Sequence, residues 1–89
     1  ALATTVHVRV ATLGLEETVL ENLKTAFKEF PGSSPTFVHF RESVESEVAV
    51  IETPFRVKAN RAFMDRMQSI AGEDQVWLEV AAQRPFRAD

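Results

Sequence analysis

The spacing of apolar and polar positions predicts a helix followed directly by a returning strand within residues 15–40. Apolar residues recur at helical spacing as far as Phe30, and charged residues occupy the opposite side. Because a residue that precedes proline is pushed out of the α region, Pro31 should end this helix. Gly32 is expected to take up positive φ in the turn that follows. Over residues 36–41 the apolar spacing drops to two, which predicts a strand.

Two other stretches alternate in the same way. Residues 5–10 should form a strand with three valines inward, and residues 47–51 should pair with 36–41 as a hairpin. Pro54 interrupts the pattern, since proline cannot donate to a strand ladder. Residues 55–57 are therefore expected to be either a bent continuation of this strand or a short edge piece.

A second, shorter helix and a last strand complete the regular structure. Asn60 is a plausible N-cap and Gly72 suits the position just past the helix end. Residues 75–80 alternate again, whereas 81–89 show no period and contain a proline. We therefore expect one α+β domain over residues 1–80 and a tail or linker over 81–89. The chain begins without methionine, so we expect either a piece of a longer protein or a chain that has been trimmed.

The predicted order of elements is β-α-β-β-α-β. A crossover through a helix joins strands that are parallel if they are adjacent, and such connections are right-handed. The most economical layout is a two-layer sandwich of the ferredoxin-like split type. Such a fold has a four-stranded, mostly antiparallel sheet with both helices on one face.

Composition narrows the possible functions. The 89 residues contain no cysteine, which excludes a disulfide framework and a thiolate metal site. The formal net charge of −3 argues against wholesale phosphate binding. No apolar run approaches the roughly 20 residues that a membrane helix needs, so no membrane partner is expected. Four glutamates and no Lys or Arg fall between Glu42 and Glu52, a pattern typical of solvated surface.

The sheet face turned away from the helices is the most informative surface. A large aromatic residue that points away from the core needs an explanation, and Trp77 and Phe37 are expected there. Either a neighbouring protein or nucleic acid would favour aromatic residues with arginines beside them. If the alternation holds, this face carries His7, Arg9, Phe37, His39, Arg41, Ile51, Trp77 and Glu79.

Catalysis and metal binding find little support. In the split layout a third strand separates His7 from His39, so their Cβ atoms should lie roughly 10 Å apart. Two histidines at that distance cannot share a zinc ion. The chain also lacks a nucleophile elbow and a phosphate-binding glycine loop. We therefore expect no metal, no cofactor and no free-standing enzyme.

Several segments resemble one known family. They are Leu23-Lys24, Phe27 through Phe30-Pro31-Gly32, the run Pro35–Phe40, Phe55-Arg56-Val57, the helix over 63–70, and the run Ala71–Val76. Their order and spacing, which span about residues 6–80, are similar to the C-terminal domain of the bacterial replicative DNA polymerase III α subunit. The resemblance implies a non-catalytic module of a DNA-directed DNA polymerase in the bacterial cytoplasm. It also implies a partner, either the clamp-loader τ subunit or an adjacent domain of the same polymerase chain.

Three hypotheses remain open from the sequence. The first is a protein-interaction module whose partner-binding residues are Trp77, Phe37, Arg9, Arg41 and His39. The second is a binder of single-stranded DNA, in which the two arginines meet phosphates and the two aromatic rings stack on bases. The third is a regulatory domain that binds a small ligand or associates with itself through an open sheet edge, near the acidic 42–52 segment.

Overall fold

The computed structural model describes residues 2–43 and 45–82. It confirms the predicted α+β class, the β-α-β-β-α-β order and a four-stranded sheet with two helices. The elements are β1 (Leu2–Ala11), α1 (Glu17–Glu29), β2 (Pro31–Ser43), β3 (Ser46–Val57), α2 (Arg61–Ala71), a short 3-10 turn (Glu73–Gln75) and β4 (Val76–Ala82).

The order of strands across the sheet is β3-β2-β1-β4. β1 runs parallel to its neighbour β2, while the β1–β4 and β2–β3 pairs are antiparallel. The sheet is thus mixed and mostly antiparallel, as expected. The split arrangement would place β3 between β1 and β2, and this detail is wrong: β1 and β2 are direct neighbours. Alternation along a strand identifies its two faces but carries no information about which strand lies beside it.

One hydrophobic core joins the sheet to both helices. Phe27 of α1 and Phe63 of α2 approach with ring centroids 6.4 Å apart. Burying a side chain of this size stabilises a protein by roughly 1.5–3 kcal/mol. The buried apolar residues are Val6, Val8, Val10, Leu23, Ala26, Phe27, Val38, Val57, Phe63, Met67 and Val76.

The ends of α2 form as the sequence indicates. The side chain of Asn60 accepts a hydrogen bond of 2.8 Å from the backbone N–H of Phe63, which satisfies a donor that the first helical turn leaves open. Gly72, with φ of 111°, ends the helix and donates its N–H to the carbonyl of Gln68 at 2.9 Å. A residue with a Cβ would be strained in that conformation.

Gly32 does not form the expected turn. β2 begins at Pro31, and Gly32 is not among the glycines with positive φ. A Cβ at this position would lie only 2.4 Å from the backbone nitrogen of Lys58. Glycine is therefore required because the start of β2 passes very close to the end of β3, where the N–H of Lys58 donates to the carbonyl of Phe30 at 2.8 Å.

The two boundaries that the sequence left uncertain are settled by strand pairing. β3 continues through Pro54 to Val57, so the bent-continuation alternative is confirmed. β4 extends to Ala82, which pairs with Leu2 of β1; the strand ends two residues later than predicted. The rest of the predicted tail, 83–89, lies outside the described residues. None of the helices in the described ranges is long and apolar enough to cross a membrane.

Candidate functional site

A row of three rings lies on one face of the sheet, the face opposite the buried valines of β1. We call this face the outer face. Alternation along β1 directs His7 to this face. Strand pairing then places Phe37 of β2 on one side of His7 and Trp77 of β4 on the other. The sequence predicted all three residues on this face, and the register brings them side by side.

The imidazole of His7 is stacked between the two aromatic rings. Its centroid lies 5.5 Å from that of Phe37 with an interplanar angle of 18°, and 5.1 Å from that of Trp77 with an angle of 8°. Stacked pairs of this kind contribute about 0.5–1.5 kcal/mol beyond their buried area. The side chain of His7 is only 13% exposed, so its position is determined by packing from both sides.

A chain of side-chain hydrogen bonds, which we call the relay, crosses the outer face. The Nδ1 of His7 lies 2.8 Å from the Nε2 of His39, and the Nε2 of His7 lies 2.8 Å from a carboxylate oxygen of Glu79. At the other end, the Nδ1 of His39 lies 2.6 Å from a carboxylate oxygen of Glu47. Each of the four strands contributes one member, so the relay extends from β4 to β3.

Three hydrogen bonds in the relay require three protons. Carboxylates accept only, and a neutral imidazole carries one N–H. With both glutamates ionised, the outer nitrogens of the two histidines donate to the carboxylates, and the inner nitrogens can bond only if one of them carries a further proton. Closing all three hydrogen bonds therefore takes one N–H more than two neutral imidazoles supply.

An irregularity in β3 directs Glu47 into the relay. Phe40 pairs with Ala49, whereas the next residue of β2, Arg41, pairs with Glu47, so the ladder passes over Val48. A bulge of one residue exchanges the faces of the residues beyond it. Glu47 consequently lies on the outer face together with Val50, which pairs with His39. From there its carboxylate reaches the imidazole of His39.

Arg9 lies beside the ring row. Its guanidinium carbon is 4.6 Å from the centroid of the Trp77 ring, a cation–π geometry. The ring of His39 is 4.9 Å from the same indole at 47°. Four of the five residues expected to bind a partner (Trp77, Phe37, Arg9 and His39) are thus in one cluster. The fifth, Arg41, lies on the same face, opposite Ala11 of β1.

Two expectations about this face are wrong. Ile51 does not lie on it: Ile51 pairs with the buried Val38 and belongs to the core side. His7 and His39 are not separated by a strand, because β1 and β2 are adjacent. Both errors concern which strands and residues pair with each other, and the spacing of apolar residues does not determine this pairing.

The partner-binding residues predicted from the sequence do not include His7, the central residue of the cluster, and the sequence indicates no role for Glu47. A signal for His7 was available. The segments His7-Val8-Arg9 and His39-Phe40-Arg41 repeat the same His-x-Arg pattern. They lie on adjacent parallel strands, where Arg9 pairs with His39. No comparable signal for Glu47 exists, since its orientation depends on the bulge.

The relay suits a shared proton better than a metal ion. Two ligand nitrogens at about 2.1 Å from a tetrahedral zinc ion lie roughly 3.4 Å apart, which is more than the 2.8 Å between the inner nitrogens of His7 and His39. Within residues 2–43 and 45–82, His, Asp and Glu side chains nowhere form a group of three or more that could hold a metal. The arrangement is a preorganised polar and aromatic surface.

Comparison with known proteins adds no family to these observations. No protein-family model matches the chain, and no curated protein matches it significantly. The functional conclusion therefore depends on the geometry of the outer face.

Proposed function

We propose that this chain is a non-catalytic protein-interaction module that binds its partner through the outer face, centred on Trp77. Following the resemblance of its segments to the C-terminal domain of the DNA polymerase III α subunit, it acts in DNA replication in the bacterial cytoplasm. Its partner is the clamp-loader τ subunit or an adjacent domain of the same polymerase chain.

The observation that carries this proposal is the fixed row of Phe37, His7 and Trp77 with Arg9 against the indole. Interfaces between proteins are enriched in Trp, Phe and Arg, and a few such residues dominate the binding energy. Stacking and the relay hold these side chains in place before a partner arrives. Binding then loses less side-chain entropy, which commonly costs about 0.5–1.5 kcal/mol for each immobilised side chain.

The same geometry is less suited to single-stranded DNA. Phe37 and Trp77 each turn one ring face to His7, and that face is unavailable for a base. The outer face also presents three carboxylates, which would repel a phosphate backbone; they belong to Glu47, Glu52 and Glu79. A protein partner with both charged and apolar groups is compatible with all of these features.

Binding of the purified clamp-loader τ subunit tests the proposal. Trp77→Ala should weaken binding by at least about 30-fold, the loss of roughly 2 kcal/mol typical of a hot-spot residue. Val80→Ala is the matched control, because Val80 is 55% exposed on the same strand but pairs with Thr4 outside the ring row. Circular dichroism should show both variants folded. Unchanged binding by folded Trp77→Ala would refute this interface.

The nucleic-acid alternative has its own measurement. A labelled single-stranded oligonucleotide should show no binding at low salt if the partner is a protein. Binding that is strong at low salt and falls steeply as salt rises would favour the phosphate backbone as the ligand.

A further inference from the structure

β3 presents a long strand edge to solvent. It is the last strand in the order β3-β2-β1-β4 and is 12 residues long. No other strand of the described chain pairs with its outer side. Alternate backbone N–H and C=O groups on such an edge are free to pair with another extended chain.

Apolar side chains are concentrated at the centre of this edge. Val48, Val50 and Ile51 are 52%, 48% and 51% exposed. Val50 lies on the outer face opposite His39, whereas Ile51 lies on the core side opposite Val38. A strand added at this edge would therefore find apolar contacts on both of its faces.

On the core side, Ile51 continues into an apolar groove between α1 and β3. Leu20, Phe27, Phe40 and Phe55 line this groove, and Leu20 is itself 38% exposed. Inward-facing side chains of an added strand would extend this apolar surface. The edge and the groove together resemble a peptide-binding site that uses strand addition.

Charge determines which segment fits. The bulge brings Glu47 to the same face as Val50 and Glu52. On the outer face of β3, an apolar side chain therefore lies between two acidic ones. In the registers that set Glu47 or Glu52 opposite a glutamate of a second copy, like charges would face each other across the strand pair, which is destabilising. A segment with Lys or Arg flanking an apolar residue would meet them with opposite charge.

We propose that the edge of β3 binds an extended, basic segment of another protein by strand addition. Backbone hydrogen bonds along β3 supply affinity, and the glutamates select Lys or Arg at positions that alternate with apolar residues. This site lies on β3, whereas Trp77 lies on β4 at the opposite edge of the sheet, and the contact between Glu47 and His39 links the two regions. The site on β3 goes beyond the proposed function and does not depend on it.

The relay provides an internal reporter for this site. Glu47 accepts from the Nδ1 of His39 at 2.6 Å. A bound lysine or arginine competes for this carboxylate, so the nitrogen-15 signal of the His39 ring should move when the edge is occupied. Binding at the cluster around Trp77 would also move this signal, because the His39 ring lies 4.9 Å from that indole; the ring signal is therefore read together with the amide shifts of β3.

Titration of the isotope-labelled chain with a synthetic peptide of alternating lysine and valine tests the proposal. Amide shifts should change along Ser46–Val57, together with the ring signal of His39. A peptide of alternating glutamate and valine, matched in length, should bind at least about tenfold more weakly because of like-charge repulsion. Val50→Lys should reduce binding of the basic peptide to a similar extent, whereas Val80→Lys, on β4, should leave it unchanged.

Three results would overturn the proposal. They are equal binding of the acidic and basic peptides, shifts that map to β4 or the helices, and a folded Val50→Lys variant that binds the basic peptide normally. Sedimentation that shows a dimer lost in Val50→Lys would instead identify a second copy as the occupant of this edge.

Discussion

The Nδ1 of His7 and the Nε2 of His39 lie 2.8 Å apart, although 32 residues separate them in the sequence. Both rings are largely covered, with side-chain exposures of 13% and 14%. Two imidazole nitrogens at this distance need one proton between them. This contact places two hydrogen-bonded imidazoles at the centre of the surface that we propose as the docking site.

The tautomers of both histidines follow from the relay. His7 should carry a proton on Nε2, which donates to Glu79, and His39 should carry one on Nδ1, which donates to Glu47. Nitrogen-15 correlation spectra of the imidazoles should show both of these nitrogens protonated. In Glu79→Gln the preference at His7 should weaken. A His39 ring protonated on Nε2 alone would contradict the relay as described.

Replacing Glu47 should loosen the relay. Glu47→Gln removes the charge that accepts from His39 while it keeps the length of the side chain. Because Glu47 is 49% exposed, we expect a loss of no more than about 1 kcal/mol in the free energy of unfolding. Urea denaturation would measure it. Glu45→Gln, an exposed change in the preceding turn, is the control and should have no effect. Equal losses in both variants would contradict a specific role of Glu47.

Gly32 should not tolerate a side chain. A Cβ would lie 2.4–2.6 Å from backbone atoms of Val57 and Lys58, and backbone cannot move aside as a flexible side chain can. Gly32→Ala should destabilise the fold by about 1–3 kcal/mol, the range for overpacked sites. Thermal unfolding would report it, with the exposed Ser33→Ala as a neighbouring control. A normal melting temperature for Gly32→Ala would show that the two strand ends can separate without cost.

Thr36 offers a stabilising change. Its side chain is fully buried, and its hydroxyl has no hydrogen-bond partner among the described residues. Its backbone carbonyl is satisfied by the hydroxyl of Thr53 at 3.0 Å, so only the side chain is at issue. Thr36→Val should raise the free energy of unfolding by about 1 kcal/mol, or the melting temperature by about 4–8 °C. A lower melting temperature would indicate that the hydroxyl is satisfied in solution.

Local chemistry made much of the fold predictable. Asn60 and Gly72 delimit α2 as their capping preferences indicate, and alternation assigned His7, Phe37 and Trp77 to the outer face. These are properties of one segment at a time. The sequence could also predict that the helices contribute an apolar stripe, because helical periodicity is likewise local.

Relations between segments were harder to predict. The adjacency of β1 and β2 brings His7 to His39, and it depends on the arrangement of the whole sheet rather than on either strand. The role of Gly32 depends on Lys58, which is distant in sequence. The orientation of Glu47 depends on a bulge at Val48, and the composition there gives no glycine or other mark of one.

The relay joins one side chain from every strand, so it connects the two outermost strands, which share no backbone hydrogen bond. Fraying of β4 would withdraw Glu79, leave the Nε2 proton of His7 without its acceptor and weaken the attachment of Glu47 on β3. The rims of a sheet ordinarily loosen independently of each other. In this protein, amide exchange in one outermost strand should respond to a substitution in the other, because the relay links the two across the width of the sheet.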